Sequence, residues 1–195
     1  MNKRKTLLFA VALGLLSAGP ASATSVGFEC VSDSNKCATG EAQLSLTVSS
    51  PVAGRVAFLL GNEGGEELSA AQLFFDDNAG VLAALLSVVD SPGVNFEPGG
   101  KPDKLKGGNK IDFEADAFAS AVKPAKDNGV DPGEGVVVTF ALAPGKTLQD
   151  VLDALGSGDL RVGTNAKKGF VTVPEPAALS LLALGVILLG LRRRS

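Results

Sequence analysis

The sequence predicts a mainly β fold, a single β-sandwich carrying one short helix. Short stretches of alternating apolar and polar residues recur along the middle of the chain, and clusters of Gly, Pro, Asn and Asp divide them. One segment has helical spacing together with a cap. Short strands separated by turn residues at this spacing are the pattern of a sandwich.

Each element has its own reason. Residues 43–49 (QLSLTVS) place Leu44, Leu46 and Val48 on one face, as a half-buried strand does. Residues 55–60 (RVAFLL), 72–75 (QLFF) and 81–89 (VLAALLSVV) read as further strands. The last is apolar enough for a short buried helix, but its Val-rich end and the preceding Asn78-Ala79-Gly80 favour a strand. Residues 92–109 are rich in Pro and Gly and read as a long surface loop. In residues 111–118 (IDFEADAF) Ile111, Phe113, Ala115 and Ala117 alternate, and residues 135–142 (GVVVTFAL) form another strand candidate. Thr147 then caps a helix, with Asp150 in the capping-box place. Leu148, Val151, Leu152 and Leu155 make its apolar stripe, and Gly156 ends it. A last short strand over 159–162 leads to a linker at Lys167-Lys168-Gly169.

Composition excludes much function. The 195 residues hold 18 Lys plus Arg and 21 Asp plus Glu, a net charge of −3, and no His, Trp or Tyr. Six of the basic residues sit at the two ends. Setting these and Glu175 aside leaves 12 basic and 20 acidic residues over 24–173, a net charge of −8. An acidic body without stacking Trp or Tyr is unsuited to nucleic acid. It equally lacks the rings on which sugar-binding modules stack pyranoses. Without His there is no Ser-His-Asp or Cys-His arrangement. The length suits one domain.

The ends carry handling signals. Lys3, Arg4 and Lys5 precede the apolar residues 6–16, and Ala21-Ser22-Ala23 follows, with Ala21 and Ala23 as the small residues of a signal-peptidase site. This makes residues 1–23 a signal peptide. Export implies an oxidising compartment, so Cys30 and Cys37 are expected to pair. A loop this short contributes on the order of 2 kcal/mol through chain entropy. At the other end Pro174-Glu175-Pro176 precedes the apolar residues 177–191 and the cluster Arg192-Arg193-Arg194. Fifteen residues of helix span about 22 Å, short of a hydrocarbon core of about 30 Å, so this is a marginal transmembrane helix. The arginines hold its end on the cytoplasmic side and leave the acidic domain on the other. The prolines keep the tripeptide extended and open to a protease.

Residues 174–195 resemble the PEP-CTERM sorting signal of Gram-negative bacteria. The resemblance implies that Pro174, Glu175 and Pro176 are the recognition motif, residues 177–191 a transient inner-membrane anchor and Arg192, Arg193 and Arg194 the stop-transfer cluster. It implies processing by an exosortase, a membrane cysteine protease, and release to the cell surface or extracellular matrix of species that make exopolysaccharide and biofilm. The stretches GVNFEPGG at Gly93, NGVDPGEGVVVTFAL at Asn128 and TLQDVLDALGSGDLRVG at Thr147 are similar to the sandwich domain often found ahead of such tails, a domain without assigned chemistry. Cohesin-like and immunoglobulin-like sandwiches share this outline, which supplies no function.

The body, residues 24–173, offers little chemistry of its own. Asp76-Asp77-Asn78 and Asp131 with Glu134 in DPGEG present hard oxygen ligands for Ca²⁺, but neither spacing matches a calcium loop, and turn chemistry explains both. The carboxylates Glu66-Glu67 and Asp112 with Glu114 are explained as surface pairs rather than a glycosidase pair. The expectation is therefore a non-enzymatic protein with no cofactor, handled by signal peptidase and exosortase and associated with extracellular polysaccharide. The alternative is an adhesion or ligand-binding module acting through residues 92–109, with structural Ca²⁺.

Overall fold

The computed structural model describes residues 23–32, 37–99 and 104–173. In chain order, β1 (Ala23–Cys30), α1 (Cys37–Gln43), β2 (Leu44–Ser49), β3 (Arg55–Asn62), β4 (Gln72–Asp77) and β5 (Leu82–Asp90) form the first half. The second half is β6 (Phe96–Pro98), a single 3₁₀ turn (Gly108–Lys110), β7 (Ala117–Ala121), α2 (Ala125–Asn128), β8 (Gly135–Leu142), α3 (Leu148–Ser157), β9 (Leu160–Ala166) and β10 (Lys168–Thr172). The protein is mainly β, as its alternating stretches predict.

All ten strands join one antiparallel sheet in the order β5-β8-β3-β2-β1-β10-β9-β4-β7-β6. The pairing runs through β1, whose first half (Ala23 to Gly27) bonds to β2 and whose second half (Phe28 to Cys30) bonds to β10. The break between two sheets that a sandwich requires is thus not seen in the pairing. The two edge strands, β5 and β6, are consecutive in the chain, and the Phe96 N–H donates to the Asp90 carboxylate at 3.2 Å, so the sheet nearly closes into a barrel. Its interior holds Phe58, Phe75 and Phe140 edge to face, with ring centroids 4.7 to 6.0 Å apart. Leu46, Leu60, Val162 and Phe170 surround them, fully buried. Edge-to-face rings add about 0.5–1.5 kcal/mol per pair beyond their burial.

Several elements depart from the pattern in the sequence. Of residues 111–118 only the end joins a strand, because residues 111–116 fold back: Asp112 is left-handed (φ 47°), and the N–H groups of Ile111 and Phe113 both donate to the Gly108 carbonyl. The expected linker at Lys168 is β10, and its Phe170 is in the core. The expected surface loop 92–109 contributes β6 and three buried apolar residues, Val94, Phe96 and Leu105. The helix forms as read at its start, where Thr147 and Asp150 complete a capping box. It runs past Gly156 to a left-handed Gly158 whose N–H reaches the Leu155 carbonyl.

Inside the strand ends a buried polar pair ties down a further loop. Gln43 Nε2 donates to Asn62 Oδ1 at 3.1 Å, and Asn62 Nδ2 donates to the carbonyls of Leu68 and Val130. These bonds satisfy groups that would otherwise be stranded in the interior.

Candidate functional site

The outer face of β9 organises a cleft with a polar lining. Arg161, Gly163 and Asn165 alternate along this strand and point away from the barrel interior, towards the segment 104–116 that crosses over them. Arg161 pairs with Asp76 of β4, its register partner, and donates to the backbone carbonyls of Ile111 at 2.6 Å and Asp112 at 2.7 Å. Its guanidinium also lies 5.4 Å from the Phe113 ring centroid. Asn165 accepts from the Lys106 N–H and donates to the Lys104 carbonyl. Between them Gly163 leaves room for Leu105, whose Cδ2 would lie 2.9 Å from a Cβ at that position. Three consecutive outward positions of one strand thus hold the crossing segment by charge, by close approach and by amide bonds.

The cleft beneath this segment has a volume of about 540 Å³ and is lined by Asp76, Asn78, Lys104, Asn109, Asp112 and Glu114 among others. Asp76 is 2% exposed, and its oxygens receive Arg161, Asn78 Nδ2 and the Glu114 N–H. Asp77 accepts from the N–H groups of Val81 and Leu82 and closes the turn between β4 and β5. Asp131 and Glu134 lie in a different turn, where the Asp131 N–H donates to Glu134 Oε2 at 2.9 Å. The four carboxylates named as calcium candidates therefore fall in two separate places, the end of β4 and the turn before β8, and Asp76, Asp77 and Glu134 already accept hydrogen bonds from Arg161, Asn78 or backbone N–H groups. Among the described residues no three acidic, Cys or His side chains form a group able to hold a metal ion. One carboxyl is shifted: the Thr147 hydroxyl, then the Thr147 N–H, hold Asp150 below the ordinary 3.8.

Cys30 and Cys37 form a disulfide, with Cα atoms 5.4 Å apart, that joins the end of β1 to the start of α1. Ala23 opens β1 and pairs with Ser49. Ala21 and residues 174–195 lie outside the described residues, and with them the sorting tripeptide, the apolar run and the arginine cluster.

The last described residues lead straight into that tail. Thr172 is buried, pairs with Phe28, and its hydroxyl accepts from the Val162 N–H at 3.0 Å. The Val173 N–H donates to the Gly27 carbonyl. The family model described as the PEP-CTERM protein-sorting motif matches residues 172–194, beginning within β10. The chain carries a PEP-CTERM motif at its C-terminus. This motif implies processing by an exosortase and sorting through the membrane to the cell surface or exterior. No curated protein and no solved structure matches the chain.

The sequence alone places the PEP-CTERM motif within two residues of the matched span, 174–195 against 172–194, but does not single out Arg161 and Asn165, since a lone Arg and a lone Asn look like ordinary surface residues. The available signal is the continued alternation of RVGTN beyond Val162.

Proposed function

We propose that this chain is a non-enzymatic protein that an exosortase releases from a transient inner-membrane anchor to the cell surface or an exopolysaccharide matrix. Signal peptidase removes residues 1–23, residues 177–191 hold the chain in the membrane, and the acidic body survives. The observation that carries the reading is the motif match over 172–194, which starts in the final strand and so attaches the sorting signal directly to the folded body. The body's net charge of −8 keeps it soluble, and divalent cations bridge it to acidic polymer. Mass spectrometry of the mature protein tests the sorting part. A C-terminus near Pro176 supports it, and exported material that keeps Arg192 to Arg194 refutes it. Excess chelator tests the bridging: retention in matrix preparations that chelator leaves unchanged counts against it.

A second reading, a ligand-binding module, is favoured by the cleft under residues 104–116. Deleting that loop would remove buried Leu105 and disturb the fold, so the informative variants are at the rim. Loss of attachment in Asp112→Asn with Glu114→Gln, at unchanged stability, supports binding there, whereas a bulk matrix component is insensitive to both.

A further inference from the structure

On the outer face of the sheet, beside the segment 104–116, a row of polar side chains meets three lysines. From this juxtaposition we infer that the cleft they line binds a carboxylate-bearing saccharide directly, such as a stretch of a uronic-acid polymer, without a divalent cation. This rests on the exopolysaccharide association proposed above and names the surface that makes the contact. Asn165 of β9 is the register partner of Gln72 of β4, Gln72 is that of Ser120 of β7, and Ser120 is that of Glu97 of β6. The adjoining row, Thr164, Leu73 and Ala119, is fully buried, so these four side chains point outwards. Four strands about 4.8 Å apart make the row about 14 Å long, room for a short run of linked sugar rings. The cleft over it has a volume of about 950 Å³. Asn165 Nδ2 donates to Gln72 Oε1 at 2.7 Å, and its Oδ1 accepts from the Lys106 N–H at 3.0 Å, which fixes the Asn165 amide. The Ser120 hydroxyl and the Glu97 carboxylate hold no partner among the described residues.

Lys104, Lys106 and Lys123 border the row, and all three are exposed. Asn165 holds the backbone of the first two, by the Lys104 carbonyl and the Lys106 N–H, and Lys123 follows the end of β7. Lys106 Nζ donates to the Lys167 carbonyl at 3.3 Å, and no carboxylate among the described residues pairs with any of the three. Glu97 is the one acid among the described lining residues, so three lysines less one glutamate leave the lining at +2 in a body of −8. Beside it on α2, Lys126 pairs with Asp127 at 3.7 Å. Residues 100–103, outside the described residues, contain Lys101 and Asp103, whose charges cancel. A cationic cleft in an acidic body draws in anions. The described lining has no aromatic ring, Arg or Met, the side chains that anchor protein partners. Hydroxyl, amide and carboxylate groups bond sugar hydroxyls, and ammonium groups bond sugar carboxylates. Glu97 stands at the opposite end of the row from Asn165, where it accepts a hydroxyl and repels a carboxylate, so a bound saccharide has one favoured direction.

The full chain in detergent, with excess chelator, is titrated calorimetrically with oligogalacturonate and with a neutral glucan oligomer of equal length. The expected result is binding of the acidic oligomer alone. Lys104→Glu combined with Lys123→Glu should weaken it about tenfold. Ser120→Leu, which fills the row and leaves the charge as it is, should weaken it to a similar degree at unchanged thermal stability. Lys146→Glu, in the turn after β8, should bind like the parent. Binding that either cleft variant leaves unchanged overturns the cleft and leaves the polysaccharide association standing. Binding that appears only when Ca²⁺ is restored overturns direct contact in favour of cation bridging. Displacement of the oligomer by an equal concentration of inorganic phosphate reveals an anion site without sugar recognition and overturns the saccharide assignment. Absence of binding with and without Ca²⁺ overturns the cleft, and retention in matrix preparations then tests the association by itself.

Discussion

Arg161 and Asp76 face each other across β9 and β4, and the same guanidinium holds the backbone of Ile111 and Asp112. One buried carboxylate and one cation thus join two strands of the barrel to the segment that covers them. Removing the cation leaves Asp76 buried and uncompensated. Arg161→Met is expected to cost about 3 kcal/mol or more, and Asp76→Asn added to it should recover much of that loss. Urea unfolding of the two variants checks this, and protease nicking near residue 112 should rise in both.

Gly169 lies against the backbone of Lys106, where any Cβ would collide with its carbonyl. Gly163 is covered less tightly, by the side chains of Leu105 and Phe113, 2.9 and 3.1 Å from where a Cβ would stand. Gly169→Ala should therefore destabilise by about 1–3 kcal/mol, as overpacking does, and loosen residues 104–106. Hydrogen exchange at the Lys106 N–H, which donates to Asn165, reads the effect directly.

The Thr147–Asp150 capping box makes a pH-dependent contribution. Asp150 titrates below 3.8 in the folded state, so its stabilisation is complete above that ordinary value and is lost as pH falls through the lower folded value. Asp150→Asn should be less stable than the parent at neutral pH, and the gap should close below about pH 4. Thermal unfolding of both from pH 7 to pH 2.5 measures it.

Reduction of Cys30–Cys37 should cost about 2 kcal/mol and leave the barrel folded, since the bridge closes only a short loop. Chemical unfolding with and without reductant gives the difference.

The body should end at residue 173. A chain of residues 24–173 is expected to fold, and one stopped at 167 is not, because it loses β10 and with it fully buried Phe170. Circular dichroism and a cooperative unfolding transition distinguish the two.

The strands were legible wherever one face is buried and the other wet, because that arrangement writes period-2 alternation into Leu44, Leu46 and Val48 and again into Val136, Val138 and Phe140. The same rule misled at Ile111 to Ala117. There the apolar side chains lie over the outside of the sheet, with Phe113 against Gly163, and Asp112 turns the backbone left-handed. β10 was hidden because Lys167-Lys168-Gly169 looks like a linker, although Phe170 fills the core.

By itself the sequence determined the mainly β class, the capped helix, the Cys30–Cys37 pair and the C-terminal sorting motif. Each is specified by residues close together in the chain, so spacing is enough. Only the tertiary structure decided that the strands make one nearly closed sheet, that Arg161 and Asn165 hold residues 104–116 over a cleft, and that the chain leaves β10 alongside β1. Those features join residues tens of positions apart. They depend on strand order and register, which local periodicity does not encode.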